Sequence, residues 1–203
     1  LLPALMPHVS IPVLSKIPLI GEVFFKGTGV IALLAIVIVI FLIVVAMQPG
    51  TYSVTRSLVI AATPDVVFPH VNELKKWAGW NPWEKLDPNM KLTYDGPEAG
   101  VGASYSWVGN SDVGEGKMTI TESKPNESIQ FKLEFFKPMA GVSDTEFTFK
   151  PQGNQTEVTW SMTGKNNFIG KAMCLFMNMD KMIGGQFEKG LAGLKTIAEA
   201  PAM

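Results

Sequence analysis

Residues 129–135 read Ile-Gln-Phe-Lys-Leu-Glu-Phe, a strict alternation of apolar and polar side chains. Because successive side chains of a β-strand point to opposite faces, this pattern predicts a strand with one buried and one solvated face. Similar short runs, separated by Gly, Pro and Asn, recur from Lys91 to Met162. This region therefore predicts an antiparallel meander whose inward face carries no ionisable side chain.

A strand and a helical segment precede the meander. Residues 52–60 are rich in Val, Ile, Thr and Tyr, which favours a strand. A helix start follows, with Thr63 as the N-cap, Pro64 at the first helical position and Asp65 in the first turn. Residues 77–88 contain prolines and a glycine, and predict a short, irregular second helix with loops.

The chain ends in helical segments. Residues 168–182 are rich in Met and Phe, and a second pattern follows the Gly184-Gly185 pair. There, apolar residues repeat on one helical face, at Phe187, Leu191, Leu194 and Ala198. A sheet with one apolar face needs a cover, which this last helix can provide. The order of elements predicts an α+β domain over residues 49–200.

A different pattern occupies residues 30–47, which are wholly apolar. A helix of this length spans roughly 28 Å, close to the ~30 Å hydrocarbon core of a bilayer. Its Val, Ile, Leu and Phe side chains gain roughly 4–8 kcal/mol on insertion. We therefore expect one transmembrane helix over residues 28–48, the alternative being a buried core strand with long flanks.

Residues 1–27 are apolar but are broken by prolines, which forbid one continuous helix. We expect this segment to lie at the membrane surface or to dock on a partner, the alternative being a lipid-associated tail. Integral membrane proteins are the expected partners, through residues 1–47. Lys16 and Lys26 precede the span and only Arg56 closely follows it, so the positive-inside rule places the domain outside the cytoplasm.

Composition excludes several classes of function. The 203-residue chain has a net charge of −1, and so lacks the basic excess that nucleic-acid binding needs. A single cysteine, Cys174, excludes an internal disulfide and a cysteine-based metal site. His8 and His70 lie on opposite sides of the predicted span, which excludes a histidine cluster. We expect no cofactor and no metal.

Several motifs point to a known family. They are residues 52–57, residues 63–68, the cluster of Trp77, Trp80 and Trp83, Asp87-Pro88, residues 100–107 and residues 173–182. In order and content they resemble the SRPBCC superfamily, the START/Bet v 1-like helix-grip fold, and within it the polyketide cyclase/dehydrase-type bacterial proteins. The resemblance covers residues 50–198.

The resemblance implies a helix-grip fold, in which an antiparallel sheet wraps a long C-terminal helix and two short helices follow the first strand. It also implies a deep cavity between the sheet and that helix, which takes hydrophobic ligands. A bacterial origin would make the chain a single-pass protein of the inner membrane, with its domain in the periplasm.

The inward face supplies candidate ligand-binding residues, since aromatic and Met side chains suit irregular apolar ligands. The predicted set is Trp107, Met118, Phe131, Phe135, Trp160, Met162, Phe176 and Met179. The alternative is that these side chains simply fill the core. In the last helix, four glycines indicate close packing, a bend or space for a ligand: Gly184, Gly185, Gly190 and Gly193.

Catalytic signals are weak, and we predict no catalytic residue. His70 has only Glu73 as an orienting acid on its helix, and a surface histidine with a charged neighbour is the simpler interpretation. Cys174 lies in a Met- and Phe-rich segment, which fits a small buried hydrophobe better than a nucleophile.

The Trp cluster has two interpretations. The family resemblance makes the three indoles part of the fold. The alternative is a membrane-interface belt at the level of the lipid headgroups, because few residues separate the predicted span from the domain.

The first functional hypothesis is a membrane-tethered, non-enzymatic protein that binds a lipid or another hydrophobic small molecule. The second is an accessory or structural subunit of a larger membrane complex of the respiratory or photosynthetic type. The third is a cyclase or hydrolase acting on a polyketide-like substrate. A binder predicts an open cavity, a structural subunit predicts a collapsed one, and an enzyme predicts an ionisable side chain pointing into it.

Overall fold

The computed structural model describes residues 18–201, with side chains from Gly29 onward. The chain divides into two compact units, Leu1–Met47 and Gln48–Met203. Residues 1–17 of the predicted docking segment lie outside the described part of the chain, so docking through it stays a prediction.

The described part of the first unit is one helix, α1 (Pro18–Ala46). The alternative prediction of a buried core strand over residues 30–47 is therefore wrong. Its stretch Gly29–Ala46 has a mean hydropathy of 3.5 and is long and apolar enough to cross a membrane. Membrane anchors and signal sequences share this length and composition near an N-terminus.

The second unit is an α+β domain built on a seven-stranded antiparallel sheet of order β1-β7-β6-β5-β4-β3-β2. Its strands are β1 (Thr51–Ile60), β2 (Lys91–Asp95), β3 (Ser104–Val108), β4 (Glu115–Lys124), β5 (Ser128–Lys137), β6 (Gly141–Gln152) and β7 (Gln155–Lys165). Its helices are α2 (Pro64–Asn72), the 3₁₀ helix Leu74–Gly79, α3 (Phe168–Cys174) and α4 (Met179–Ala198). The predicted helix-grip architecture is confirmed.

Alternation along the strands places the core on one face of the sheet. Phe131 on β5 and Trp160 on β7 are buried, whereas Gln130 and Lys132 beside Phe131 are exposed. The helix α4 covers this face with the four side chains that its periodicity predicts, all of them buried: Phe187, Leu191, Leu194 and Ala198.

The helices differ from the prediction in two places. Helix is predicted throughout residues 168–182, but α3 ends at Cys174 and α4 begins at Met179. Asn178 causes the restart, because its side-chain oxygen accepts a hydrogen bond from the Lys181 amide at 2.9 Å and caps α4. The short second helix lies at Leu74–Gly79, before most of the predicted region.

The Trp cluster belongs to the core, so the alternative of a membrane-interface belt is wrong for its two buried members. Trp77 and Trp80 are 3% and 1% exposed. Their indole N–H groups donate to the carbonyls of Val71 at 2.9 Å and His70 at 3.1 Å, which ties the 3₁₀ helix and the residue after it to α2. Trp83 is half-buried, with its ring against Phe187.

The glycines of α4 mark close packing in three of four cases. A Cβ at Gly190 would lie 2.7 Å from the ring of Trp160, and one at Gly193 would lie 3.2 Å from Trp80. A Cβ at Gly184 would collide with the guanidinium of Arg56. At Gly185 a Cβ would meet nothing within 4 Å.

This contrast makes Gly190 and Gly185 a matched pair. Gly190→Ala is expected to lower the free energy of unfolding by about 1–2 kcal/mol, because overpacking against Trp160 outweighs the gain in helix propensity. Gly185→Ala is expected to raise it by about 0.5–1 kcal/mol. Urea unfolding of both variants measures the difference, and equal stabilisation would contradict the close contact at Gly190.

Candidate ligand-binding cavity

A cavity of about 370 Å³ lies between the concave face of the sheet, the Trp cluster and the helices α3 and α4. Its walls are mostly aromatic, aliphatic and Met side chains. Exposed residues of the β5–β6 hairpin and of the end of β7 line its opening, among them Lys137, Gly141 and Lys165. An apolar molecule entering this space would leave water on most sides.

Six of the eight predicted ligand-binding residues line the cavity: Trp107, Met118, Phe135, Trp160, Met162 and Met179. The other two do not. Phe131 points inward, but the ring of Trp77 lies over it with centroids 5.6 Å apart, so it fills the core. Phe176 falls in the break between α3 and α4 and is 79% exposed.

Several lining residues escape the sequence prediction. Trp77, Asn81, Trp83 and Met90 come from the segment after α2, which has no regular period. Three Trp residues within seven positions are the sequence feature that indicates this wall, but such a cluster is also typical of a membrane interface. Residues 137–141 contribute from a hairpin, where neither strand alternation nor helix periodicity applies.

Polar atoms are sparse along the lining. The Tyr52 hydroxyl shares a hydrogen bond with the Ser143 hydroxyl at 2.7 Å. The Thr145 hydroxyl and the Trp160 indole N–H are buried, and neither has a hydrogen-bond partner among the described residues. Both belong to lining residues, so this wall combines apolar surface with two polar groups that lack a protein partner.

Tyr105 is a buried titratable group in the cavity wall. Burial raises the pKa of its phenol, and the negative charge of Glu84 adds to the rise. Burial also raises the pKa of the Glu84 carboxyl, while a hydrogen bond from Asn81 opposes that rise. The Tyr105 phenol is therefore protonated at neutral pH and offers a hydrogen bond rather than a base.

His70 and Cys174 lie outside the cavity lining. Burial lowers the pKa of the His70 imidazole, and the positive charge of Lys76 lowers it further. The side chain of Glu73 pairs with Lys76 at 2.8 Å. Cys174 is half-buried and accepts a weak hydrogen bond from Asn166 at 3.7 Å.

A charged side chain lies on the inward face of β1, a strand that precedes the region 91–162 for which the sequence predicts none. Arg56 on β1 reaches α4, where its guanidinium donates to both carboxylate oxygens of Asp180 at 3.0 Å and to Glu188 at 2.7 Å. The hydrogen bonds from Arg56 lower the pKa of the Asp180 carboxyl. Arg56 is not part of the cavity lining, so it clamps the first turns of α4 to the edge of the sheet.

A family model described as polyketide cyclase/dehydrase and lipid transport matches residues 51–199. No curated protein sequence matches this chain significantly.

Solved structures share the fold at low sequence identity. A protein from Chromobacterium violaceum is 16% identical with a TM-score of 0.54, and the match covers 75% of this chain and 99% of that one. Major latex-like protein 151 from Panax ginseng is 14% identical with a TM-score of 0.52, covering 75% of this chain and 100% of that one. The di-domain ARO/CYC BexL from the BE-7585A biosynthetic pathway is 14% identical with a TM-score of 0.55, covering 78% of this chain and 53% of that one. At such identities the likeness establishes the fold alone.

Proposed function

This chain belongs to the polyketide cyclase/dehydrase and lipid transport family, and from that premise we propose that its domain binds a lipid or another hydrophobic small molecule without transforming it. In this proposal α1 anchors the domain in a bacterial inner membrane, with the domain in the periplasm. The observation that carries the proposal is the open apolar cavity of about 370 Å³.

The cavity supports ligand binding over a purely structural role. Its volume falls within the roughly 300–1,000 Å³ of small-molecule sites, and a structural subunit predicts a filled core instead. The Met side chains at its mouth, Met139, Met173 and Met179 among them, adapt to ligands of irregular shape.

The chemistry of the lining supports binding without catalysis. Among the residues that the structure describes, the lining contains no Asp, Glu, His or Cys. Lys137 and Lys165 lie at the solvent-exposed opening, and Lys137 pairs with Glu115 at 2.7 Å. The remaining polar groups are hydroxyl, amide and indole groups, which can donate or accept hydrogen bonds and so orient a ligand.

The experiment that tests the proposal is native mass spectrometry of the full chain after gentle detergent extraction. We expect a bound apolar small molecule, and we expect it to remain when residues 48–203 are isolated as a fragment. That fragment is the control, because lipid held only around α1 would be lost with α1. A chain that carries no small molecule and co-purifies with integral membrane proteins through residues 1–47 would contradict ligand binding and support the structural role.

A further inference from the structure

Exposed apolar side chains adjoin the opening of the cavity. One precedes rim residue Lys137 on β5, and the others lie in or next to α3 and α4, beside rim residues Gly170, Met173 and Met179. We call this set the collar: Phe136, Phe168, Ile169, Phe176 and Met182. An apolar patch of this kind around a cavity mouth marks an interaction surface.

The charges of the collar are mostly positive. Residues 136–142 and 163–183 contain four lysines and one aspartate. That aspartate, Asp180, is engaged by the guanidinium of Arg56 through both carboxylate oxygens. One of the four lysines, Lys137, pairs with Glu115 at 2.7 Å. The collar therefore presents Phe, Ile and Met side chains together with a net positive charge, which complements an anionic surface.

The opening also lies at the end of the domain where the chain enters. Asn166, a residue of the rim, donates from its backbone amide to the Gly50 carbonyl at 2.9 Å. Its side-chain amide donates to the Pro49 carbonyl at 3.2 Å. The segment 49–50, at which the chain enters the domain, therefore contacts the rim of the cavity.

We propose that the collar is a docking surface for an anionic phospholipid bilayer, so that the cavity opens directly onto lipid. Phe and Met side chains partition into the boundary between headgroups and acyl chains, and lysines beside them attract anionic headgroups. A ligand would then pass between bilayer and cavity without crossing water. This inference rests on the proposed anchorage by α1, and its test separates the two.

The test uses the full chain with Cys174→Ser and one new cysteine for a fluorescent NBD label, reconstituted into nanodiscs that contain phosphatidylglycerol and brominated phosphatidylcholine. Phe176→Cys places the label in the collar. The matched control is Val101→Cys, because Val101 is also apolar and is 59% exposed. Val101 lies in the loop before β3, which begins at Ser104. The other end of β3, at Val108, pairs with Glu115, which in turn pairs with Lys137 of the rim.

We expect bromine to quench the label at position 176 and to leave the label at position 101 unchanged. Replacing phosphatidylglycerol with phosphatidylcholine, or introducing Lys165→Glu and Lys181→Glu together, is expected to reduce the quenching. Equal thermal melts of the labelled variants show that each is folded.

A label at position 176 that bromine does not quench, in a chain that stays in the disc, would overturn the collar proposal while the anchorage stands. A label shielded from water but not quenched would indicate a protein partner and would overturn it too. A chain that separates from the disc would refute the anchorage, and the collar proposal with it.

Discussion

Replacing Trp77 with alanine is expected to lower the free energy of unfolding of the domain by about 3–5 kcal/mol. The indole lies among other rings of the core, with centroids 4.5 Å from Trp80, 5.6 Å from Phe131 and 5.8 Å from Phe147. Its N–H also donates to the Val71 carbonyl, so truncation removes a buried hydrogen bond together with the packing. Urea unfolding of residues 48–203, followed by circular dichroism, measures the change.

The control for Trp77 is an aromatic side chain that the core does not use. Phe176→Ala is expected to change the free energy of unfolding by no more than about 0.5 kcal/mol, because Phe176 is 79% exposed. If Trp77→Ala changed the free energy of unfolding as little as Phe176→Ala, the Trp cluster would not be part of the core. That result would favour a membrane-interface role for the cluster.

The parts of the fold that local periodicity encodes could be predicted from the sequence. Alternation along residues 129–135 predicts β5 and its buried face, and the spacing of Phe187 and Leu191 predicts the face of α4 that covers the sheet. Both patterns reflect geometry within one element, which is why they can be interpreted without knowing what packs against it. The break between α3 and α4 depends on the cap at Asn178, and apolar residues on both sides obscure it.

The cavity could be predicted only in part, for a related reason. Trp107 and Met162 follow from strand alternation, because inward positions of a sheet recur every second residue. Phe131 also points inward, and only the three-dimensional placement of Trp77 shows that it is covered. Arg56 lies at an inward position of β1, but its role depends on Asp180 and Glu188, which are more than 120 residues away in sequence.

Replacing Leu133 with tryptophan is expected to lower the affinity of the cavity for an apolar probe at least about tenfold, a loss of about 1.4 kcal/mol. Leu133 is an inward position of β5, paired with Met118 on β4 and Ser143 on β6, and it lines the cavity. The larger indole would extend into the space of about 370 Å³ that the ligand needs. Titration of residues 48–203 with the neutral fluorophore 1-aminoanthracene measures the affinity.

Leu133→Met is the matched control, because it nearly conserves the volume of an apolar side chain at the same position. Its affinity for the probe is expected to stay within a factor of about three, and its stability within about 1.5 kcal/mol of the native domain. Thermal melts of both variants separate a blocked cavity from an unfolded domain. Since the indole occupies space that is otherwise empty, a folded Leu133→Trp domain that still binds the probe would place the apolar site elsewhere and contradict the cavity as the ligand-binding site.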